Sequence, residues 1–187
     1  MNSIDEKVFS IETKDTKRKI NVTIRLANNI DVDHIIKIEQ TCFPPAEAAT
    51  PDSIKDRFKT FSENFVVAEG KEENKKEKEI IGFINGCCTD KPELPDELYH
   101  DSSLHKKEGD YQTVFGLDVL PEYRNRGVAG ELIKMLIELS KKRNKKGVVL
   151  TCKDYLIHYY EKFGFKHKGV SNSSHGGAKW NDMLLEF

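Results

Sequence analysis

A strand, turn and helix between residues 112 and 143 constrain the fold of this chain more than any other stretch. The apolar run QTVFGLDVL (112–120) has the composition of a buried strand. The run AGELIKMLIELSKKR (129–143) has apolar residues at helical spacing and a basic carboxyl end that suits the helix dipole. A strand that leads directly into an amphipathic helix is typical of α/β architecture.

Further apolar runs extend this unit in both directions. Their patterns predict strands over 20–26, 64–70, 79–88, 147–152, 165–170 and 180–187, and helices over 31–43, 50–61 and 154–164. Asp31 is expected to cap the first of these helices, and Pro44 to end it. The order of elements predicts a mixed, mostly antiparallel sheet of six or seven strands with helices on both faces.

The chain of 187 residues is expected to fold as a single domain over 1–187, with 1–20 as a flexible or edge-strand extension. The charged run KEENKKEKE (71–79) indicates a solvated hairpin tip. Residues 89–111 are too many for an ordinary connection, and loops of this length are often lids or binding loops.

Composition excludes several classes of protein. The net charge of −1 disfavours a dedicated nucleic-acid binder. No run of 18 apolar residues is present, and the amino-terminal segment lacks the apolar core of a signal peptide, so neither a membrane association nor export is expected. The four cysteines form no C-x-x-C pair, which predicts reduced thiols in a cytoplasmic protein and no metal site.

The turn PEYRNRGVAGEL (121–132) has two interpretations. It is either an ordinary connection or an anion site, because N–H groups at the start of a helix lack partners and carry a partial positive charge. Arg124 and Arg126 would add donors suited to phosphate. Neither G-x-G-x-x-G nor G-x-x-x-x-G-K-[ST] is present, so hydride transfer and nucleotide hydrolysis lose support.

This turn and a second motif resemble the GNAT superfamily of N-acetyltransferases. The signature [Q/R]-x-x-G-x-[G/A] is matched by Arg124, Gly127 and Ala129. The motif Y-x-x-x-G-F is matched by Tyr160, Gly164 and Phe165. The segments CFPPAEAATPDSI, LTCKDYLIHYYEKFGF and SSHGGAKWNDM, with the long loop before the fourth strand, resemble the arylalkylamine and polyamine N-acetyltransferase group.

The resemblance implies direct transfer of acetyl from acetyl-CoA to a small primary amine, such as an arylalkylamine or a polyamine. The pantetheine arm of the coenzyme would run beside Leu117, Asp118 and Val119, with the Val119 N–H facing the thioester oxygen. The residues expected to hold its diphosphate are Arg124, Asn125, Arg126, Gly127, Val128, Ala129 and Gly130. Tyr160 would bind the coenzyme sulfur and protonate it as it leaves; the alternative is an aromatic residue of the core.

The base that deprotonates the amine has three candidates. Where the vertebrate arylalkylamine enzymes carry two histidines on the fourth strand, this chain has Asp118 and Leu120. A carboxyl group flanked by Leu117 and Val119 in a central strand is expected to have a raised pKa unless a lysine or backbone group pairs with it. Asp118 is therefore a candidate base, or else a structural acid.

Glu47 and His175 are the other two candidates. Glu47 lies between the first two helices and would serve as the base, as an anchor for the amine, or merely as a solvated acid. His175 lies in the loop SSHGG, where the glycines suggest close approach to a ligand; the alternative is an ordinary turn residue.

Acidic and aromatic residues surround the expected acceptor entrance. The acids, which would attract a cationic amine, are Glu47, Glu93, Asp96, Glu97 and Asp101. The aromatic residues are Phe43, Phe58, Tyr99 and Trp180. The alternatives to a small-amine enzyme are a coenzyme-A-binding sensor without turnover and a protein lysine acetyltransferase, and the sequence is compatible with a monomer or a homodimer.

Overall fold

The computed structural model describes residues 6–187. Its strands are β1 Lys7–Glu12, β2 Lys19–Leu26, β3 Val66–Glu72, β4 Lys78–Asn85, β5 Cys88–Thr89, β6 Tyr111–Val114, β7 Gly116–Val119, β8 Gly147–Cys152, β9 Lys166–Val170 and β10 Asn181–Glu186. Its helices are α1 Val32–Cys42, α2 Pro51–Phe61, α3 Glu97–His100, α4 Val128–Lys142 and α5 Ile157–Glu161.

The strands form two five-stranded sheets, with the strand orders β1-β2-β3-β4-β7 and β5-β6-β8-β10-β9. Neighbouring strands are antiparallel except for β6 and β8, which are parallel. The mixed, mostly antiparallel character is confirmed. The expected count of six or seven strands in one sheet is wrong, because the strand predicted over 112–120 breaks at Phe115 and contributes one half to each sheet.

The two halves of this strand diverge at the break. β6 pairs with β8 as far as Val114 and Leu150, whereas β7 pairs only with β4. The N–H of Leu120 donates to Ile81 O at 2.8 Å, so it points toward β4. Since successive N–H groups on a strand alternate in direction, those of Leu117 and Val119 point away from β4 into the gap beside β8.

Helices cover both faces of the structure, as predicted. On one face α4 buries Leu132, Leu136 and Leu139 against the sheet. On the other, α1 and α2 bury an apolar cluster that includes Ile35, Ile38, Ile54, Phe58 and Phe61. Each such side chain contributes about 1.5–3 kcal/mol when it is fully buried.

The structure refines two predictions for the amino-terminal part of the chain. Within the segment 1–20, which was expected to be flexible or an edge strand, β1 pairs with β2 at the edge of its sheet, while residues 1–5 lie outside the described residues. Asp31 stands at the cap position of α1, but its side chain makes no cap hydrogen bond. Its carboxylate instead accepts from Arg25 at 2.7 Å and from the Asn28 N–H, because a buried acid requires charged and polar partners.

The long segment before β6 contains the short helix α3. The helix α5 is shorter than the one predicted over 154–164, because 3₁₀ turns precede and follow it. Over residues 6–187, none of the helices has the length and apolar character needed to cross a membrane.

Residue-resolved hydrogen exchange can test whether β7 separates from β8 after Phe115. The amides of Leu117 and Val119 should exchange at least about tenfold faster than those of Phe115 and Leu120, because only the latter two donate to β4. Addition of coenzyme A should slow Leu117 and Val119 selectively. Equal protection of all four amides in the free protein would contradict the divergence of the strands.

Candidate functional site

A cleft of about 1060 Å³ opens where β7 leaves β8. Its wall includes β7, the turn before α4, the end of β8, the start of α5, and loops near residues 46 and 175. The predicted residues that line it are Glu47, Leu117, Asp118, Val119, Arg124, Asn125, Gly127, Val128, Ala129, Tyr160 and His175. Gly130 and Arg126 are not part of the wall, and Phe163 lies 3.3 Å from the position of a Gly130 Cβ.

The amino end of α4 presents backbone donors to this cleft. The Glu131 N–H donates to Gly127 O at 3.1 Å, so the N–H groups of Val128, Ala129 and Gly130 have no acceptor within the helix. No side chain caps this end, and Gly127 adopts a φ of +84°, a left-handed conformation that glycine tolerates best. The helix dipole adds partial positive charge, so the geometry suits an anion.

The two arginines of the turn have different positions. Arg124 is exposed at the cleft, and its Nε donates to Val119 O at 2.8 Å. Arg126 turns away, because its Nε donates to Glu12 O on β1 at 2.7 Å. Of the two arginines of the turn, the structure therefore brings only Arg124 to the cleft, and the Arg126 side chain holds the turn against the sheet edge.

Asp118 lies deep in the cleft wall without a partner for its charge. It is only 8% exposed, and its Oδ2 has no hydrogen-bond partner among residues 6–187. Burial raises the pKa of Asp118 to about 8, and the nearby Glu39 carboxyl adds to the rise while Arg124 opposes it. The expected raised pKa is confirmed; the role of Asp118 as a base stays a prediction.

Tyr160 is buried at the side of the cleft formed by α5. Its ring packs edge-on to Phe165, with the centroids 5.8 Å apart, and its hydroxyl makes no hydrogen bond to the described residues. Burial raises the pKa of the Tyr160 phenol above its ordinary value, so the group holds its proton at neutral pH. A protonated phenol facing the cleft is able to donate to an anion.

The other end of the cleft joins Glu47 and His175. Glu47 forms a 2.7 Å ion pair with Lys153, whose Nζ lies 4.3 Å from the centroid of the Trp180 ring. The Nε2 of His175 lies 2.9 Å from Glu47 O and therefore carries a hydrogen, since a carbonyl oxygen only accepts. The reading of Glu47 as a merely solvated acid is wrong, because its side chain is 10% exposed and paired.

Aromatic rings form the wall at this end. The His175 ring stacks on Tyr99 with the centroids 4.9 Å apart, and Trp180 donates from its Nε1 to His175 O at 2.9 Å. Phe43 also lines the cleft. The expectation for Phe58 is wrong, because its ring packs in the core, 5.2 Å from Phe65.

The expected acidic entrance is only partly present. Asp96 lines the cleft but accepts from the Ser173 hydroxyl and the Ser174 N–H, which occupy its carboxylate. The acids of the entrance that stand outside the cleft wall are Glu93, Glu97 and Asp101. Few carboxylates thus remain free to attract a cation at this end.

Sequence reasoning did not identify three charged residues of the wall: Glu39, Arg57 and Lys153. Glu39 and Arg57 are 4% and 7% exposed, on the inward faces of α1 and α2. A charged residue within an apolar helical stripe is a signal visible in the sequence. Lys153 follows β8, and no local pattern indicates that it reaches Glu47 and Trp180.

Comparison with known proteins identifies the family. Residues 32–165 match the acetyltransferase (GNAT) family, and the chain belongs to it. An N-alpha-acetyltransferase of Sulfolobus acidocaldarius is 29% identical over 180 residues, which cover 92% of this chain and 95% of that protein. Serotonin N-acetyltransferase of Mesocricetus auratus is 32% identical over 95 residues, covering 50% of this chain and 44% of that protein.

Solved structures share the fold. The GNAT-like decarboxylase GphF, in complex with isobutyryl-CoA, aligns with a TM-score of 0.71 at 18% identity, covering 87% of this chain and 98% of that chain. That likeness concerns the fold alone. The family match, together with the N-alpha-acetyltransferase relative, makes the chain a GNAT-family N-acetyltransferase that uses acetyl-CoA.

The raised pKa of Asp118 predicts how stability depends on pH. Between about pH 4 and pH 8 the folded protein holds a proton on Asp118 that the unfolded chain has lost, so this group makes stability fall as the pH rises. The slope is at most about 1.4 kcal/mol per pH unit. Urea unfolding should therefore show Asp118→Asn gaining stability relative to the wild type as the pH rises through this window.

The matched control is Asp56→Asn, an exposed position on α2. Its stability difference from the wild type should stay constant over the same window. A pH-independent difference for Asp118→Asn would show that its folded-state pKa is ordinary.

Proposed function

We propose that the chain transfers acetyl directly from acetyl-CoA to a primary amine that carries an apolar or aromatic body, with a small arylalkylamine as the leading class. The observation that carries this proposal is the juxtaposition, in one cleft, of an unpartnered Asp118 carboxyl with the Tyr99, His175 and Trp180 wall. The partial match to a serotonin N-acetyltransferase supports the same class of acceptor.

The coenzyme's diphosphate would lie against the amino end of α4, where the Val128 and Ala129 amides and Arg124 meet the cleft. Its pantetheine arm would then follow β7, where the Leu117 and Val119 backbone groups face the gap. In this arrangement the Val119 N–H stabilises the oxyanion that forms on the thioester carbonyl.

Three groups of this chain would manage the protons. The Asp118 carboxylate accepts a proton from the attacking ammonium, and its pKa of about 8 suits a base that works at mildly alkaline pH. The free amine attacks the carbonyl carbon, and the carbon–sulfur bond breaks. Tyr160 donates its phenolic proton to the departing thiolate and regains one from solvent or from the amine nitrogen.

The polyamine reading has less support than the arylalkylamine reading. A polyamine carries several cations and requires several free acids along its path. At the acceptor end, Glu47 is neutralised by Lys153, and Asp96 is satisfied by two serines. An uncharged aromatic body would instead contact the rings of Tyr99 and Trp180.

A second candidate acceptor is the amino-terminal amine of a polypeptide. The N-alpha-acetyltransferase relative supports it, because the similarity extends over nearly the whole of both chains. Such an acceptor also presents a primary amine on an apolar residue, so the same wall would accommodate it. A lysine side chain and a sensor without turnover have no comparable support.

An acceptor panel tests the proposal. Release of free thiol from acetyl-CoA would be followed with phenethylamine, spermidine, a tetrapeptide with a free amino terminus, and the same length of peptide with a blocked terminus and an internal lysine. We expect kcat/KM for phenethylamine to exceed that for spermidine by about tenfold or more, the effect of roughly 1.4 kcal/mol of apolar contact. A preference for the free tetrapeptide would favour the second candidate, and no turnover on any amine would favour a sensor.

The role of Tyr160 gives a separate prediction. Tyr160→Phe keeps the buried ring but removes the donor, so kcat should fall by about 10²-fold or more while the affinity for acetyl-CoA changes little. Steady-state kinetics and coenzyme titration would measure both quantities. Tyr111→Phe, on β6 and outside the cleft wall, is the matched control. An unchanged kcat in Tyr160→Phe would remove the acid role.

A further inference from the structure

Glu39 is an acid in a position where α1 should be apolar. It is 4% exposed and lies on the same helix face as Ile35, Ile38 and Cys42. A buried carboxylate is costly unless it is hydrogen-bonded or paired. Glu39 lies in the cleft wall, so the groups that offset the cost of burying its carboxylate must be found there.

The contacts of Glu39 connect two parts of the site. Its Oε1 accepts from the Ala49 N–H at 2.7 Å, which ties α1 to the loop that carries Glu47. Its Oε2 lies 3.3 Å from the position of a Gly116 Cβ, so the carboxyl group rests against the start of β7. Gly116 and Asp118 are two residues apart and share one face of that strand.

Charged and titratable groups approach Asp118 from several elements. Glu39 and Cys42 face it from α1, Arg124 from the turn after β7, and Tyr160 from α5. Arg57 of α2 faces Glu39. The packing of β4 and α4 near β7 is apolar, through Phe83 and Leu132. Among these groups, Glu39 is the acid whose negative charge raises the pKa of Asp118.

We propose that Glu39 is a positioning residue for acetyl transfer, which holds the loop before α2 through Ala49 and whose negative charge makes the neighbouring Asp118 a stronger base once Asp118 has released its own proton to solvent. The proposal rests on Asp118 as the base of the proposed function. Two carboxyl groups in one desolvated site do not ionise together easily. Glu39 takes the charge first, because the Ala49 N–H and Arg57 stabilise its anion, whereas Asp118 Oδ2 has no partner.

The test is Glu39→Gln. Glutamine keeps an oxygen that can accept from the Ala49 N–H but removes the negative charge, so Asp118 should ionise more easily. Carbon-13 NMR of aspartate-labelled protein would follow the Asp118 carboxyl directly. We expect its titration to move to lower pH by about one unit or more. The acid limb of the kcat/KM profile should move in the same direction and by a similar amount.

Two controls separate the possible failures. Glu138→Gln, on the exposed face of α4, should leave both titrations unchanged. Asp118→Asn tests the underlying function: if it keeps the wild-type rate and pH profile, Asp118 is not the base, although the NMR titration in Glu39→Gln still reports on the coupling. An unchanged Asp118 titration in folded Glu39→Gln overturns the inference.

If Glu39→Gln does not fold, the reciprocal measurement decides. Because Glu39 ionises first, its coupling to Asp118 appears when Asp118 ionises. The Glu39 carboxyl resonance of glutamate-labelled wild-type protein should therefore show a second inflection at the pH where Asp118 titrates, and Asp118→Asn should remove that inflection. A Glu39 resonance with the same single inflection in both proteins would overturn the inference independently of the first variant.

Discussion

The separation of β7 from β8 after Phe115 is the constraint on which the rest of the structure depends. Buried backbone N–H and C=O groups are nearly always paired, and a continuous strand would have paired with β8 along its whole length. Because pairing stops at Val114 and Leu150, the next residues leave main-chain groups facing a cleft. The sheet fixes the direction of the donors that face this cleft. An extended ligand with hydrogen-bond donors and acceptors along its length could pair with the main-chain groups of β7 that β8 leaves unpaired.

The turn before α4 uses its arginines in a way that follows from this arrangement. Arg124 returns to Val119 O and Arg126 reaches Glu12 O, so both side chains hold the turn in register with the sheet. In the proposed function, the anion site is made chiefly of main-chain amides, whose direction is set by the helix axis. Such donors require little reorganisation when the anion arrives, whereas a flexible side chain loses rotamer freedom on binding. The arginine pattern in the sequence therefore marks a turn that both side chains hold, and of the two only Arg124 also lines the cleft.

Local patterns predicted most of the elements, and long-range contacts account for what they did not predict. Period and composition place α1, α2, α4 and the main strands within a few residues of their observed bounds. The break at Phe115 leaves no local signal, because it results from a choice between two partner strands. The destination of Arg126 depends on a carbonyl 114 residues earlier in the chain, and that of Lys153 on a loop more than one hundred residues earlier. Of the cleft wall, the sequence indicated β7 and the turn before α4 but not Glu39, Arg57 and Lys153, since the end of the cleft near Glu47 and His175 is assembled from separate loops.

One signal for the cleft was visible in the sequence but was not used: α1 and α2 each carry a charged residue within their apolar stripe. Ile35, Ile38 and Cys42 predict a buried face that includes Glu39, and Ile54, Phe58 and Phe61 predict one that includes Arg57. Burying a charged side chain is costly, and apolar side chains at the same positions would avoid that cost, so stability alone does not require these charges. Both residues line the same cleft, and each is held by a backbone group: Ala49 N–H for Glu39, and Tyr99 O for Arg57. Ala49 and Tyr99 both line the cleft, so the two helices set its shape and its charge at the end where the proposed function places the amine.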